Sequence, residues 1–239
     1  MSRSEESLGV RRLTSALVIA VPVAFTLLFI ALGSVFDYPD ILDASTDETL
    51  RRFVEEGDTL VGLWYGFMLT AVLFVPIAVL LPRVLGMRGT LASAAVVFGV
   101  VAGVLQFIGL ARWPFLVPYL ADSYVDPQSS PATREAAAVT FQAFHDYAGG
   151  ALGEHLGYLF TALWTLVLVP GLRVLGRPWL AWLGIASAIG IAAGMVEPLG
   201  VDAAGAVNAI AYTAWAVWLV IVGVLVLRAP REGQAAAAT

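Results

Sequence analysis

No cysteine occurs in this 239-residue chain, which excludes disulfides, thiolate metal centres and cysteine nucleophiles. Lysine is absent as well: all 13 basic residues are arginine. Schiff-base chemistry, including a retinal-type linkage, therefore has no residue to form on. Charge of either sign is sparse, at 13% of residues. There is no basic stripe, so nucleic acid is not expected as a partner. Two histidines, without cysteine or an HExxH motif, leave too few ligands at useful spacing for a metal site, and heme is expected less still, because axial histidines normally come from facing helices. No metal and no cofactor is expected.

What the chain has in abundance is apolar length. It is 59% hydrophobic with a mean hydropathy of +0.85. Runs near 13–36, 59–82, 90–111, 149–170, 178–197 and 205–227 can each cross a hydrocarbon layer of roughly 30 Å as a helix of about 20 residues. The predicted fold is an all-α polytopic bundle of six transmembrane helices over 13–228, with an N-terminal tail at 1–12 and a disordered tail at 229–239. The first run follows Arg11 and Arg12 like a secretory signal. It is too long for a signal's apolar region of about 7–15 residues, and is read as a retained span.

Six spans put both termini on one side. That side holds Arg3, Arg11, Arg12, Arg83, Arg88, Arg173, Arg177, Arg228 and Arg231; the other holds Arg51, Arg52, Arg112 and Arg134. The positive-inside bias then predicts both termini in the cytoplasm of a plasma-membrane protein. The outer loop 37–58 is the most acidic segment and reads as solvated, with a short helix near 46–56 capped by Ser45 or Thr46. Its capacity to collect cations stays open. The second outer loop, 114–135, carries four prolines and is expected to be irregular until Thr133.

Two hairpins resemble each other. Gly66-Phe-Met-Leu-Thr-Ala71 matches Gly157-Tyr-Leu-Phe-Thr-Ala162; Arg83-Val-Leu-Gly86 matches Arg173-Val-Leu-Gly176; Gly99-Val-Val-Ala-Gly103 matches Gly190-Ile-Ala-Ala-Gly194. The separations are 91, 90 and 91 residues (66 to 157, 83 to 173, 99 to 190). Spans 2–3 and 4–5 therefore read as a parallel internal repeat. The GxxxG pairs have their own reason. Lipid gives helices no hydrophobic drive to associate, so small residues allow the close backbone contact that holds them together.

Ionisable groups concentrate in the outer halves of the spans. Gln106 and Arg112 lie near the end of span 3. His145, Asp146, Glu154 and His155 lie on the helix leading into span 4, Glu197 ends span 5, and span 6 carries Asn208 and Tyr212. Counted back from Pro170, Glu154 sits roughly 23 Å up a helix at 1.5 Å per residue, inside the outer boundary of the core. A charge there costs about 2–3 kcal/mol unless paired. Arg112, His145 and His155 are the expected partners. Adjacent residues differ by about 100° around a helix, so Glu154 and His155 point differently. The bland reading of these charges is a clamp between spans, Arg112 with Glu154 or Glu197. Trp64, Trp113, Trp164, Trp179 and Trp182 are expected as belt or packing residues, with Trp113, Trp179 and Trp182 near span ends.

The segments Arg83-Val-Leu-Gly86, Leu172-Arg-Val-Leu-Gly176, Trp182-Leu-Gly184 and Gly153-Glu-His-Leu-Gly-Tyr158 resemble small bacterial six-span integral membrane proteins of unknown function. The resemblance implies a membrane bundle and supplies no activity.

Three functions compete. The first is an outer-facing polar and aromatic pocket that binds a small hydrophobic or amphipathic molecule and transforms it by acid–base chemistry, as an isoprenoid-cyclase-like enzyme, an isomerase or a hydrolase would. Glu154, His155 and Glu197 are its candidate catalytic residues. Arg112, Trp64, Trp113, His145, Asp146, Tyr158 and Asn208 are its candidate substrate-binding residues. The second is a proton-coupled small-solute transporter. The third is a structural or accessory membrane subunit. Homo-oligomer formation is compatible with all three.

Overall fold

A computed structural model describes residues 3–201 and 203–229. Asp202 and the expected tail from 230 onward lie outside the described residues. Six helices are long and apolar enough to cross a membrane: Leu8–Phe36, Thr46–Val84, Gly89–Val125, Pro131–Leu175, Pro178–Leu199 and Ala203–Arg228. No strand occurs among the described residues. The protein is thus an all-α, six-span membrane bundle.

In finer detail the chain forms α1 (Arg3–Phe36), α2 (Thr46–Val84), α3 (Gly89–Phe115), α4 (Val117–Val125), α5 (Pro131–Phe144), a π-helical segment (His145–Leu156), α6 (Gly157–Leu168), α7 (Pro178–Ala193) and α8 (Ala203–Arg228). Tight 3₁₀ turns cover Asp40–Asp43, Val169–Leu175 and Gly194–Leu199. The segment expected as an N-terminal tail is helical from Arg3. Arg11 Nη2 reaches the Leu227 carbonyl at 3.4 Å, so the first and last spans meet at the end that also holds Arg83, Arg88, Arg173 and Arg177. We call this the arginine end and the opposite one the acid-rich end.

The arginine half is solidly packed. Ile77, Leu81, Trp164, Leu168, Leu172, Leu180 and Trp218 are buried in one core. Its glycines bring helices into contact. A Cβ on Gly99 would stand 2.5 Å from both Ala78 Cβ and Trp164 Cδ1, and one on Gly190 would stand 2.6 Å from Ala211 Cβ. Some of its polar groups are paired internally: Trp218 Nε1 donates to the Leu180 carbonyl at 2.9 Å, and Trp215 Nε1 donates to Thr165 Oγ1 at 2.8 Å; Trp164 Nε1 and Ser187 Oγ are buried without a partner.

The acid-rich end differs from its expected loops. Helix α2 does begin as a cap helix: Ser45 Oγ accepts from the Glu48 N–H at 3.2 Å, satisfying a first-turn donor. At Gly57, with φ 56° and ψ −141°, the regular helix breaks; that backbone region is open to glycine. The segment expected to be irregular up to Thr133 is instead helical in α3, α4 and α5. Pro118 sits in the first turn of α4 and Pro131 starts α5, where the missing N–H costs nothing. Together with the start of α2 they form a cap with its own core of Phe36, Phe53, Trp64, Trp113, Leu120 and Phe141. Tyr124 Oη donates to Asp47 at 3.0 Å and Thr46 Oγ1 to Gln142 at 2.9 Å, tying the cap elements together.

Candidate functional site

The site begins with glycines. The stretch Ala148-Gly149-Gly150 and Gly153 lie in the π segment. A turn of this kind is rare, is usually short, and recurs at functional sites; here it runs for 12 residues. Lacking side chains, the segment meets α3 backbone to backbone. A Cβ on Gly109 would stand 2.7 Å from Gly153 Cα and 2.9 Å from the Ala148 carbonyl. Gly149 lies against the Arg112 guanidinium so closely that a Cβ there would overlap it.

Arg112 is thereby buried, with 7% of its surface exposed. Its Nη1 donates to the Gly109 carbonyl at 2.5 Å, and its guanidinium carbon lies 5.1 Å from the Trp113 ring centroid. Trp113 stacks on Trp64 at 4.6 Å and 8°. The Arg112 Nε is buried without a hydrogen-bond partner. The ion pairs among the described residues are Arg51–Asp47 and Arg52–Asp37. The expected Arg112–Glu154 and Arg112–Glu197 clamps are therefore not made: no carboxylate oxygen of the described residues comes within 4.0 Å of the guanidinium.

Glu154 nevertheless shares this place. It is half-buried and lies within Coulombic range of Arg112 and Glu197. Tyr38, Tyr158 and Tyr212 all feel its charge. Tyr38 enters from the turn between the first two spans and packs edge-on against Trp64 at 5.2 Å and Phe29 at 5.4 Å. Burial pushes its hydroxyl above the ordinary tyrosine range; Glu154 adds to the shift and Arg112 opposes it. Tyr38 is therefore a neutral O–H at any ordinary pH. Deeper in, Gln106 Nε2 donates to Thr161 Oγ1 at 2.8 Å and to Tyr212 Oη at 3.4 Å, and Tyr212 leans on Tyr158 at 5.7 Å. Neither the Glu154 carboxylate nor the Tyr38 and Tyr158 hydroxyls form a hydrogen bond among the described residues.

The remaining expected site residues fall around this cluster or outside it. His145 is half-buried, and its Nε2 meets the Leu42 carbonyl at 3.1 Å. A carbonyl only accepts, so Nε2 carries the hydrogen; Nδ1 is buried without a partner. Asp146 is exposed and accepts from Gln142 at 2.8 Å. His155 is half-buried and makes no hydrogen bond to the cluster among the described residues. Glu197 is exposed, with its carboxylate against Gly205 near the start of α8, where the helix dipole favours a negative group. Asn208 is buried and committed elsewhere: its Nδ2 donates to the Ile191 carbonyl at 2.8 Å, joining α7 to α8. Trp113, expected near the interface, is 1% exposed and belongs to the cap core, whereas Trp179 and Trp182 are 48% and 73% exposed. Tyr38 was missed by sequence reasoning. It follows Asp37 in an acidic loop, and no periodicity marks it.

Two clefts open elsewhere. One of about 250 Å³ lies at the arginine end, bordered by Met87, Arg88, Pro170 and Gly171. The other, about 460 Å³, lies on α4 beside Tyr119, Asp122 and Asp126.

No curated protein and no solved structure matches this chain. A family profile does, over residues 13–223, which reach from the first span into the sixth. The chain belongs to the family described as a domain of unknown function, DUF4386.

Proposed function

We propose that this multi-pass membrane protein receives a small amphipathic molecule at its acid-rich end, between α3, the π segment and the Tyr38 turn. On the arginine bias, that end faces outward and both termini face the cytoplasm. One observation carries the reading. The buried Arg112 guanidinium keeps an Nε with no hydrogen-bond partner, beside a half-buried carboxylate and two tyrosine hydroxyls that make no hydrogen bond among the described residues. Buried polar groups are normally satisfied, and leaving one unmade costs about 1–3 kcal/mol. A ligand supplies the missing partners, and the half-buried rings of Tyr38 and Phe29, backed by the packed Trp64, receive its apolar part. Glu154 is the group able to exchange a proton with that ligand, as an isomerase, hydrolase or cyclase requires. His155 and Glu197 are less well placed for that role than His145, whose free Nδ1 is an acceptor.

Transport has less support. Below Thr165 the interior is filled by Trp164, Phe74, Ile77, Leu168 and Leu172, so among the described residues no ionisable relay runs through this core.

The test is gentle purification followed by native mass spectrometry and deuterium exchange. Wild-type protein is expected to carry a bound small molecule that gains deuterium from D₂O. Glu154→Gln is expected to keep the molecule and stop the exchange. An empty wild type would overturn the binding reading; exchange undiminished in the variant would overturn the role of Glu154.

A further inference from the structure

We propose that the ligand of this site presents an oxyanion, a carboxylate or phosphate, to the side edge of Arg112. This rests on the binding reading above and names the ligand's chemical class. The guanidinium has two usable edges. Nη1 is already engaged by the Gly109 carbonyl. The remaining edge pairs Nε with Nη2, whose N–H bonds run parallel. The Nε of that edge is buried without a partner, and Nη2 makes no hydrogen bond among the described residues. Two parallel donors on a planar cation match the two oxygens of a carboxylate or phosphate, and such bidentate pairs are among the strongest hydrogen bonds in proteins. A neutral carbonyl or hydroxyl would leave the charge uncompensated.

The surroundings hold that edge in place. Gly149 leaves no side chain to move the guanidinium, and the Trp113 ring lies 5.1 Å from its centre. Glu154, the carboxylate whose charge reaches Arg112 among the described residues, stays beyond 4.0 Å. Tyr38, a neutral O–H within range of Arg112, is a further donor. The Arg112 side edge and the Tyr38 hydroxyl thus offer donors to an oxyanion. The half-buried rings of Tyr38 and Phe29, packed edge to face, suit an apolar tail on the same molecule.

The test uses the full chain in dodecyl maltoside, with thermal unfolding read by its seven tryptophans. The probes are dodecyl phosphate, laurate, dodecanol, dodecylammonium and inorganic phosphate. Dodecyl phosphate and laurate are expected to raise the unfolding temperature at concentrations at least tenfold below those at which dodecanol or dodecylammonium acts. Arg112→Gln is expected to erase that preference while keeping the response to dodecanol. Glu154→Gln, which retains the guanidinium, is expected to bind the anionic probes more tightly, and it serves if Arg112→Gln fails to fold. Equal responses to dodecyl phosphate and dodecanol in wild type would overturn the oxyanion while leaving the binding reading standing. No response to any amphipath would overturn both. A response to inorganic phosphate as strong as to dodecyl phosphate, lost in Arg112→Gln, would support the oxyanion and assign its source to a free anion rather than a lipid.

Discussion

Replacing Gly109 with alanine should loosen the joint on which the site is built. The new Cβ would stand 2.7 Å from Gly153 Cα and 2.9 Å from the Ala148 carbonyl. Both obstacles are backbone, so no side chain can swing aside. Carbon atoms rest about 3.5–4.0 Å apart, so α3 and the π segment must separate by roughly 1 Å. Overpacking of this kind costs about 1–3 kcal/mol. The same shift moves the Gly109 carbonyl that Arg112 Nη1 holds. The assay is equilibrium unfolding in mixed micelles by SDS titration, followed by tryptophan fluorescence. Gly150→Ala is the control, because a Cβ at Gly150 meets nothing within 4 Å. It should stay within about 1 kcal/mol of wild type, the scale of helix-propensity differences. Gly109→Ala as stable as wild type, or less damaging than Gly150→Ala, would refute the close approach of α3 to the π segment.

Asn208→Leu removes the donor that joins α7 to α8 through the Ile191 carbonyl; the same unfolding assay should show a loss between about 0.6 and 1.7 kcal/mol, the average and the maximum for interhelical hydrogen bonds in membranes. Gly57→Ala forces a side chain into a backbone conformation at φ 56° and ψ −141°, and should cost about 1–3 kcal/mol although nothing crowds the position. A cysteine-free chain makes orientation easy to read: in intact cells an impermeant maleimide should label Gln128→Cys at the acid-rich end, and should label Thr90→Cys at the arginine end only after permeabilisation. The reverse pattern would overturn the orientation.

The bundle was largely legible in the sequence because long apolar runs and their polar ends are local properties. The helix near 46–56, with Ser45 as its cap, was equally local. The GxxxG glycines announced close contacts, and Gly99 and Gly190 do bring Ala78 and Ala211 against their helices. The cap was not legible. Four prolines between 114 and 135 suggested irregular chain, yet Pro118 and Pro131 occupy helix starts, and the residues that hold the cap together, Phe53, Trp113, Leu120 and Phe141, come from separate elements. The polar residues of the site were visible as an excess of ionisable groups on spans 3–5. Their partners were not. Charge balance alone pairs Arg112 with Glu154 or Glu197, whereas the π segment shifts the register of span 4, and Gly149 lets Arg112 settle against backbone instead. Tyr38 joins from a turn whose course depends on contacts distant in sequence, such as that between the Leu42 carbonyl and His145.

The most direct measurement is the separation of the Arg112 side edge from the Glu154 carboxylate in an experimental density map of the protein in a lipid nanodisc. The expected result is a gap wider than 4 Å with non-protein density bridging it to Arg112 Nε and Nη2. A direct two-point contact between the two side chains, with close-packed protein around it, would reduce this cluster to a strut between helices and contradict the account.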